Sequence, residues 1–185
     1  MSLYGRRRRY GRETTVKHSE ANDRKQPMIQ QHLFGQPQTE VTSDDYYTPK
    51  WVFDTLDLEF DLDVASPPGG PPFVPCKRYF TQEDDGLAQE WHGRIWMNPP
   101  YSAPRLWIER FLEHGNGVAL LPFAKSRAFM SLWNSSAKMV YAADPGLVGL
   151  LFHRHGKKEQ IMFPVVLIAM GNENIAALEP FGVVR

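Results

Sequence analysis

A chain of 185 residues with 42% hydrophobic and 12% aromatic content holds enough apolar material for one core, in a length typical of a single domain. No apolar run approaches the length of a membrane span, and the N-terminus lacks the apolar stretch of a secretion signal. The single cysteine, Cys76, excludes an internal disulfide and any multi-cysteine zinc site, so the expectation is a protein of the reducing cytoplasm with no membrane or metal partner. The 21 basic and 21 acidic residues cancel unevenly: residues 1–30 hold eight Lys or Arg against three acids, leaving thirteen against eighteen in residues 31–185. A basic arm on a mildly acidic body is the charge asymmetry of nucleic-acid binders, although a solubilising tail has the same composition.

Residues 1–43 are rich in Arg, Gln, Ser and Thr, show no apolar period and carry RRRRY at positions 6–10. They read as a disordered basic arm, with the folded domain over 44–185. DDYYTPKW opens that domain. Thr48 is placed to N-cap a helix whose first position is Pro49, and Val52, Phe53 and Leu56 then share one face.

In LEFDLDVAS, Leu58, Phe60, Leu62 and Val64 alternate with Glu59, Asp61 and Asp63, which predicts a strand. An interior parallel strand is normally apolar on both sides, so this one belongs at a sheet edge or along a ligand cleft. SPPGGPP, positions 66–72, continues neither regular element and must be a loop. GRIWM, positions 93–97, is a short strand running into Asn98-Pro99-Pro100-Tyr101.

Beyond it, Ser102 or Ala103 is expected to cap a helix with Pro104 in its first turn. Trp107, Ile108, Phe111 and Leu112 form its buried stripe and Gly115 its stop. GVALLPF, positions 117–123, has the continuous apolar character of an interior strand, and SRAFMSLW that of a short helix. VGLLF and FPVVLIAM read as two late strands joined through the polar turn HRHGKKEQ. Strands alternating with helices predict an α/β sheet ending in an antiparallel hairpin.

Ligands of open α/β sheets gather beyond the carboxyl ends of the strands, which is where Asn98–Tyr101 falls. A nucleobase amine is a poor nucleophile because its lone pair is delocalised into the ring. An Asn side-chain oxygen and a free backbone carbonyl can together accept both amine hydrogens and favour a more pyramidal nitrogen. Pro99 provides that carbonyl while its ring fixes the turn, and Tyr101 provides a face for an extruded base. The bland alternative is a proline-rich turn that merely ends a strand.

DDYYTPKWVFDTL, FDLDVAS, DDGLAQEWHGRIWMNPPYS and VALLPFAKSRAF, in that order over roughly residues 44–170, resemble the phage-type DNA N-6-adenine methyltransferases, the phage Dam family. The resemblance implies a compact Rossmann-like methyltransferase sheet with helices on its faces, S-adenosylmethionine as cofactor, and adenine in DNA as acceptor. Carried over residue by residue, it implies that Tyr47, Thr48 and Pro49 lie against the methionine end of the cofactor. Asp63, Ala65 and Ser66 match the first cofactor motif, the turn leaving the first strand. Asp85, Gly86 and Leu87 match a segment near the cofactor's adenine, and Asn98, Pro99, Pro100 and Tyr101 match the catalytic motif. Lys125 and Arg127 fall where target DNA is met. The chain departs from the pattern in its first loop, where glycines come only late, at Gly69 and Gly70, and in HRHGKKEQ.

Other candidates read as structural. Glu59, Asp61 and Asp63 form a solvated or half-buried strand face rather than a metal site, and His153 and His155 a surface turn. Cys76 has no catalytic base beside it. Trp51, Trp91, Trp96, Trp107 and Trp133 are core anchors, with Trp91 and Trp96 nearest the motif. The expected activity is adenine N6 methylation of DNA in the cytoplasm of a bacterial host, by a phage or prophage enzyme. The rivals are methylation of RNA or protein glutamine by the same tetrapeptide, and a degenerate module that only binds DNA.

Overall fold

The computed structural model describes residues 46–147, 149–154, 157–160 and 164–185. The basic arm expected at 1–43 and His155 lie outside them. The described chain runs α1 (Lys50–Leu56), β1 (Phe60–Asp63), β2 (Cys76–Tyr79), β3 (Ile95–Met97), α2 (Arg105–His114) and β4 (Gly117–Pro122). It continues through α3 (Arg127–Trp133), β5 (Lys138–Ala142), β6 (Leu151–Arg154), β7 (Lys157–Gln160), β8 (Val165–Met170), α4 (Asn172–Ala176) and a 3₁₀ turn at Glu179–Phe181.

Six strands form one sheet in the order β2-β1-β3-β4-β8-β5. The first four are parallel, and β8 runs antiparallel to both β4 and β5. Side chains alternate between two cores. Trp96 joins Val52, Phe53, Leu56 and Phe60 under α1, while Ile95 and Met97 join Ile108, Phe111, Phe129 and Leu132 under α2 and α3. This is the helix-covered, mostly parallel α/β architecture that the sequence predicts, and it is compatible with a Rossmann-like methyltransferase fold.

The predicted helices form, but their starts differ in detail. Pro49 occupies the N-cap of α1 and no side chain caps it, so Thr48 is not the cap. Pro104 likewise heads α2 without help from Ser102 or Ala103, and Gly115 closes it with φ 73°. A proline whose φ is already set and whose nitrogen has no hydrogen lowers the need for a capping oxygen. Only α3 shows the capping expected of a hydroxyl, with Ser126 Oγ accepting from the Phe129 N–H at 3.1 Å.

The late strands differ more. FPVVLIAM does not pair with VGLLF. Its six residues Val165–Met170 are all buried, and a strand apolar on both faces is satisfied only inside a covered sheet, so it inserts between β4 and β5. The hairpin is instead β6 with β7, which takes in Lys157–Gln160, expected as turn. Strands β2 and β5 were not anticipated. β2 is a largely exposed edge strand, and its presence makes β1 second from the edge rather than the edge itself.

Candidate active site

Between β1 and β3 the strand order reverses: the chain leaves β1 to one side to form β2 and returns on the other to form β3. Such a switch point leaves a crevice at the carboxyl ends, because the connections depart in opposite directions. Asp63 ends β1 in register with Trp96, one residue before the end of β3. A cavity of about 470 Å³ opens there, within the range of roughly 300–1,000 Å³ usual for small-molecule sites.

The cavity gathers residues far apart in sequence. Asn98, Pro99, Pro100 and Tyr101 all line it. Of the residues singled out for a cofactor, Tyr47, Thr48, Asp63, Ala65, Ser66, Asp85 and Gly86 also line it. Pro49 and Leu87 do not: Pro49 is buried at the head of α1, and Leu87 packs on the core beneath α2. Lys125, on the β4–α3 connection, and Arg127, the first residue of α3, are exposed beyond the carboxyl end of β4 and do not line the cavity.

The polar wall is under-satisfied. Asn98 donates through Nδ2 to the Tyr46 carbonyl at 3.3 Å, while its Oδ1 is buried with no hydrogen-bond partner. Thr48 Oγ1 is also buried and unpartnered. A buried polar atom left unmade costs about 1–3 kcal/mol, so two on one cavity are candidates for bonding to a bound molecule.

Asp63 is buried and its Oδ1 accepts from the Ala65 N–H at 3.1 Å. Burial pushes its carboxyl up to about 7 despite that bond and the nearby Ser66 hydroxyl. That hydroxyl lies close enough to lower the Asp63 pKa, yet makes no hydrogen bond of ordinary geometry. Burial also raises the Tyr101 phenol well above its usual value. Cys76 is pushed up to about 11 by burial and by the Asp63 charge, which keeps the thiol protonated and inert.

Apolar lining comes from Pro67, Pro68, Pro71, Pro72 and Phe73 of the first loop and from Trp107 of α2. The Asp85–Gly86 turn also lines the cavity. Asp85 has φ 51°, a left-handed conformation that an acid tolerates better than most residues. A Cβ at position 86 would collide with the Val64 carbonyl oxygen, so glycine alone lets this turn lie against β1.

The turn is clamped from behind. Trp91 donates from Nε1 to the Gly86 carbonyl at 2.7 Å, and Arg110 donates to the carbonyls of Leu87 and Gln89 while lying over the Trp91 ring. Trp91 in turn stacks on Trp107 at 6.2 Å.

Among the other candidates, Asp61 pairs with Lys77 at 2.8 Å and accepts the Arg94 N–H, so its carboxylate is engaged structurally. His153 lies edge-on to Phe73. Trp133 is 52% exposed and is not the core anchor expected, because α3 turns it away from the sheet. Sequence reasoning did not find the proline wall, Trp107, Thr81 and Gln82 as cavity lining. Prolines in a loop signal rigidity but not what they face.

A family model described as DNA N-6-adenine-methyltransferase (Dam) matches residues 36–167. The chain belongs to the DNA N-6-adenine-methyltransferase (Dam) family. The cavity and Asn98–Tyr101 both lie within the matched region. Over 83 residues the chain is 34% identical to the DNA N-6-adenine-methyltransferase of Haemophilus phage HP1 (strain HP1c1), a stretch covering 40% of this chain and 46% of that relative. The match thus spans about half the length of the curated relative.

Proposed function

We propose that this protein transfers a methyl group from S-adenosylmethionine to N6 of adenine in DNA. The observation that carries the reading is the buried, unpartnered Oδ1 of Asn98 at the switch-point cavity, on a side chain whose amide end is already engaged.

The cavity suits the cofactor's chemistry. Asp63, Thr48 and Ser66 offer a carboxyl and hydroxyls to a cationic, hydrogen-bonding amino-acid end, with Tyr47 beside them. The proline wall, Phe73 and Trp107 offer apolar faces to a heterocycle, with Asp85 and Gly86 at its rim. When bound, S-adenosylmethionine supplies an electrophilic methyl carbon on a positively charged sulfur.

The protein's own residues supply orientation and electrostatics. The target adenine must leave the base stack to reach a site recessed in this way. Asn98 Oδ1 and the Pro99 carbonyl accept the two amine hydrogens, which withdraws the nitrogen lone pair from ring conjugation and aims it. As that nitrogen forms its new bond to the methyl carbon, the carbon–sulfur bond breaks with its electron pair going to sulfur as a neutral thioether. The nitrogen becomes cationic, and the same two oxygens stabilise the developing charge. Its proton then leaves to solvent, so no strong base is required. Tyr101 closes the site over the base.

Lys125 and Arg127, exposed beyond the carboxyl end of β4, meet phosphates, and the basic arm at 1–43 adds sequence-independent attraction. Similarity to a phage protein supports the cytoplasm of a bacterial host as the setting of the reaction.

Incubation with tritiated S-adenosylmethionine and unmethylated DNA, followed by nucleoside analysis, tests this directly. Label in N6-methyldeoxyadenosine is the expected result. Label only in RNA or in protein glutamine would reassign the acceptor, and the absence of any cofactor heat by calorimetry would reduce the protein to a DNA-binding module.

A further inference from the structure

A carboxamide has two ends of opposite character and nearly equal size. Nothing in Asn98-Pro99-Pro100-Tyr101 itself decides which end meets a ligand. If the NH2 group faced the acceptor amine, donor would oppose donor and the site would fail. The structure contains a device that settles the orientation, and it comes from 52 residues upstream.

The Tyr46 main-chain carbonyl sits 3.3 Å from Asn98 Nδ2. A carbonyl oxygen only accepts, so it holds the NH2 end and leaves Oδ1 as the end on offer. The carbonyl is itself held. Tyr47 exchanges two backbone hydrogen bonds with His153 of β6, at 2.8 and 3.0 Å. The Tyr46 ring meets the fully buried Phe152 edge-on at 5.9 Å. Pro49 follows two residues after Tyr47 and enters α1. Residues 46–47 therefore form a strap, fastened to the hairpin on one side and to α1 on the other, with one oxygen aimed at Asn98.

We propose that the Tyr46 carbonyl is a positioning group that presents Asn98 with its oxygen toward the acceptor amine, and that it thereby requires an amide rather than a carboxylate at position 98. The proposal rests on the methyl-transfer reading above. An ionised carboxylate at this position would set an anionic oxygen against the Tyr46 oxygen, which is repulsive. A protonated acid would donate its O–H to Tyr46 and keep its other oxygen free, reproducing the pattern of the amide.

Two measurements test it, one with and one without methyl transfer. In the first, the turnover of Asn98→Asp is compared with wild type from pH 8.5 to 5.5. Taking the ratio cancels the response of the other titratable groups around the cavity, namely Asp63, Asp85, Tyr46, Tyr47 and Tyr101, together with His153 on β6. The variant is expected to be roughly 100-fold slower at pH 8.5, with the ratio rising at least ~10-fold toward pH 5.5. A ratio near one at pH 8.5, or one that does not change with pH, overturns the proposal.

In the second, side-chain amide exchange of Asn98 is followed by ¹⁵N NMR, the resonance being assigned by its loss in Asn98→Ala. Protected exchange is expected in wild type, and at least ~10-fold faster exchange in Tyr46→Ala, which releases the ring from Phe152. Exchange in wild type as fast as that of an exposed asparagine overturns the proposal whatever the turnover shows. Protection in a protein that methylates nothing would leave the positioning intact and refute the function instead.

Discussion

Two buried or half-buried asparagines stand at opposite ends of the same sheet and are treated differently. At the amino ends of β3 and β4, Asn174 is fully engaged: its Nδ2 donates to Asn116 Oδ1 at 2.8 Å and to the Met170 carbonyl at 2.6 Å, and its Oδ1 accepts from Arg94 Nε at 2.7 Å. At the carboxyl end of β3, Asn98 has one end tied to Tyr46 and the other left without a partner. A satisfied buried amide ties strands together. An unsatisfied one costs stability in the free protein and is retained for what it binds. The same residue type is thus scaffold at one end of the sheet and, in the proposed reading, part of the site at the other.

The sharpest way to break this contrast is to remove each amide in turn. Asn98→Ala is expected to lower turnover by roughly 10²–10³ while cofactor affinity and thermal midpoint stay near wild type, measured by single-turnover methylation, calorimetry and melting. Near-normal turnover would remove Asn98 from the chemistry.

Asp63 extends the comparison to an acid. Its folded pKa, about 7, lies above the 3.8 of an unperturbed aspartate, so the folded state holds a proton that the unfolded state has released between those values. The stabilisation is fully present below about pH 4, declines as pH rises toward 7, and levels off above it. Asp63→Asn should abolish that decline and make the cofactor-free protein more stable at pH 8 by a few kcal/mol, on the order of the 1.4 kcal/mol per pKa unit that such shifts carry. Urea unfolding from pH 4 to 8 measures it. An unchanged slope would show that Asp63 ionises freely. The same variant should bind S-adenosylmethionine more weakly, so that stability and binding move in opposite directions.

Asn174→Ala is expected to do the reverse of Asn98→Ala. Loss of its bonds leaves Arg94 and Asn116 short of partners and lowers stability by about 1–3 kcal/mol, with cofactor affinity little changed at temperatures where the protein remains folded. If turnover fell as far as in Asn98→Ala, the division between scaffold and site would not hold.

The smallest effects belong to the exposed cations at the end of β4. Lys125→Ala and Arg127→Ala should each weaken DNA binding a few-fold and reduce the salt dependence by roughly 0.9 for each phosphate no longer neutralised. The rate at saturating DNA should stay close to wild type. Fluorescence anisotropy from low to high salt reads both quantities.

Much of the fold was legible locally. The apolar spacing of Val52, Phe53 and Leu56 and the stop at Gly115 announced α1 and α2, because a helix face and a left-handed cap leave a mark within a few residues. The rigid Asn98–Tyr101 segment was equally visible, since two consecutive prolines after an apolar strand admit few conformations. β2 was not, because Cys76–Tyr79 shows neither alternation nor an apolar run. The pairing of β8 was also misread. A fully apolar strand announces that it is buried but not which neighbours bury it.

The sequence by itself determined the chemical parts of this protein: an amide, a free carbonyl and a ring in a stiff turn, and a strand with acids on one face. Only the tertiary structure decided that Asp63, ending β1, and Asn98, just past β3, meet on one cavity, that prolines line it, and that the Tyr46 carbonyl holds the Asn98 amide. The reason is that backbone preference and hydrophobic period act over a few residues. A site at a switch point is made by strands that are neighbours in space and distant in the chain, and an unsatisfied oxygen within it is visible only once every other partner has been placed.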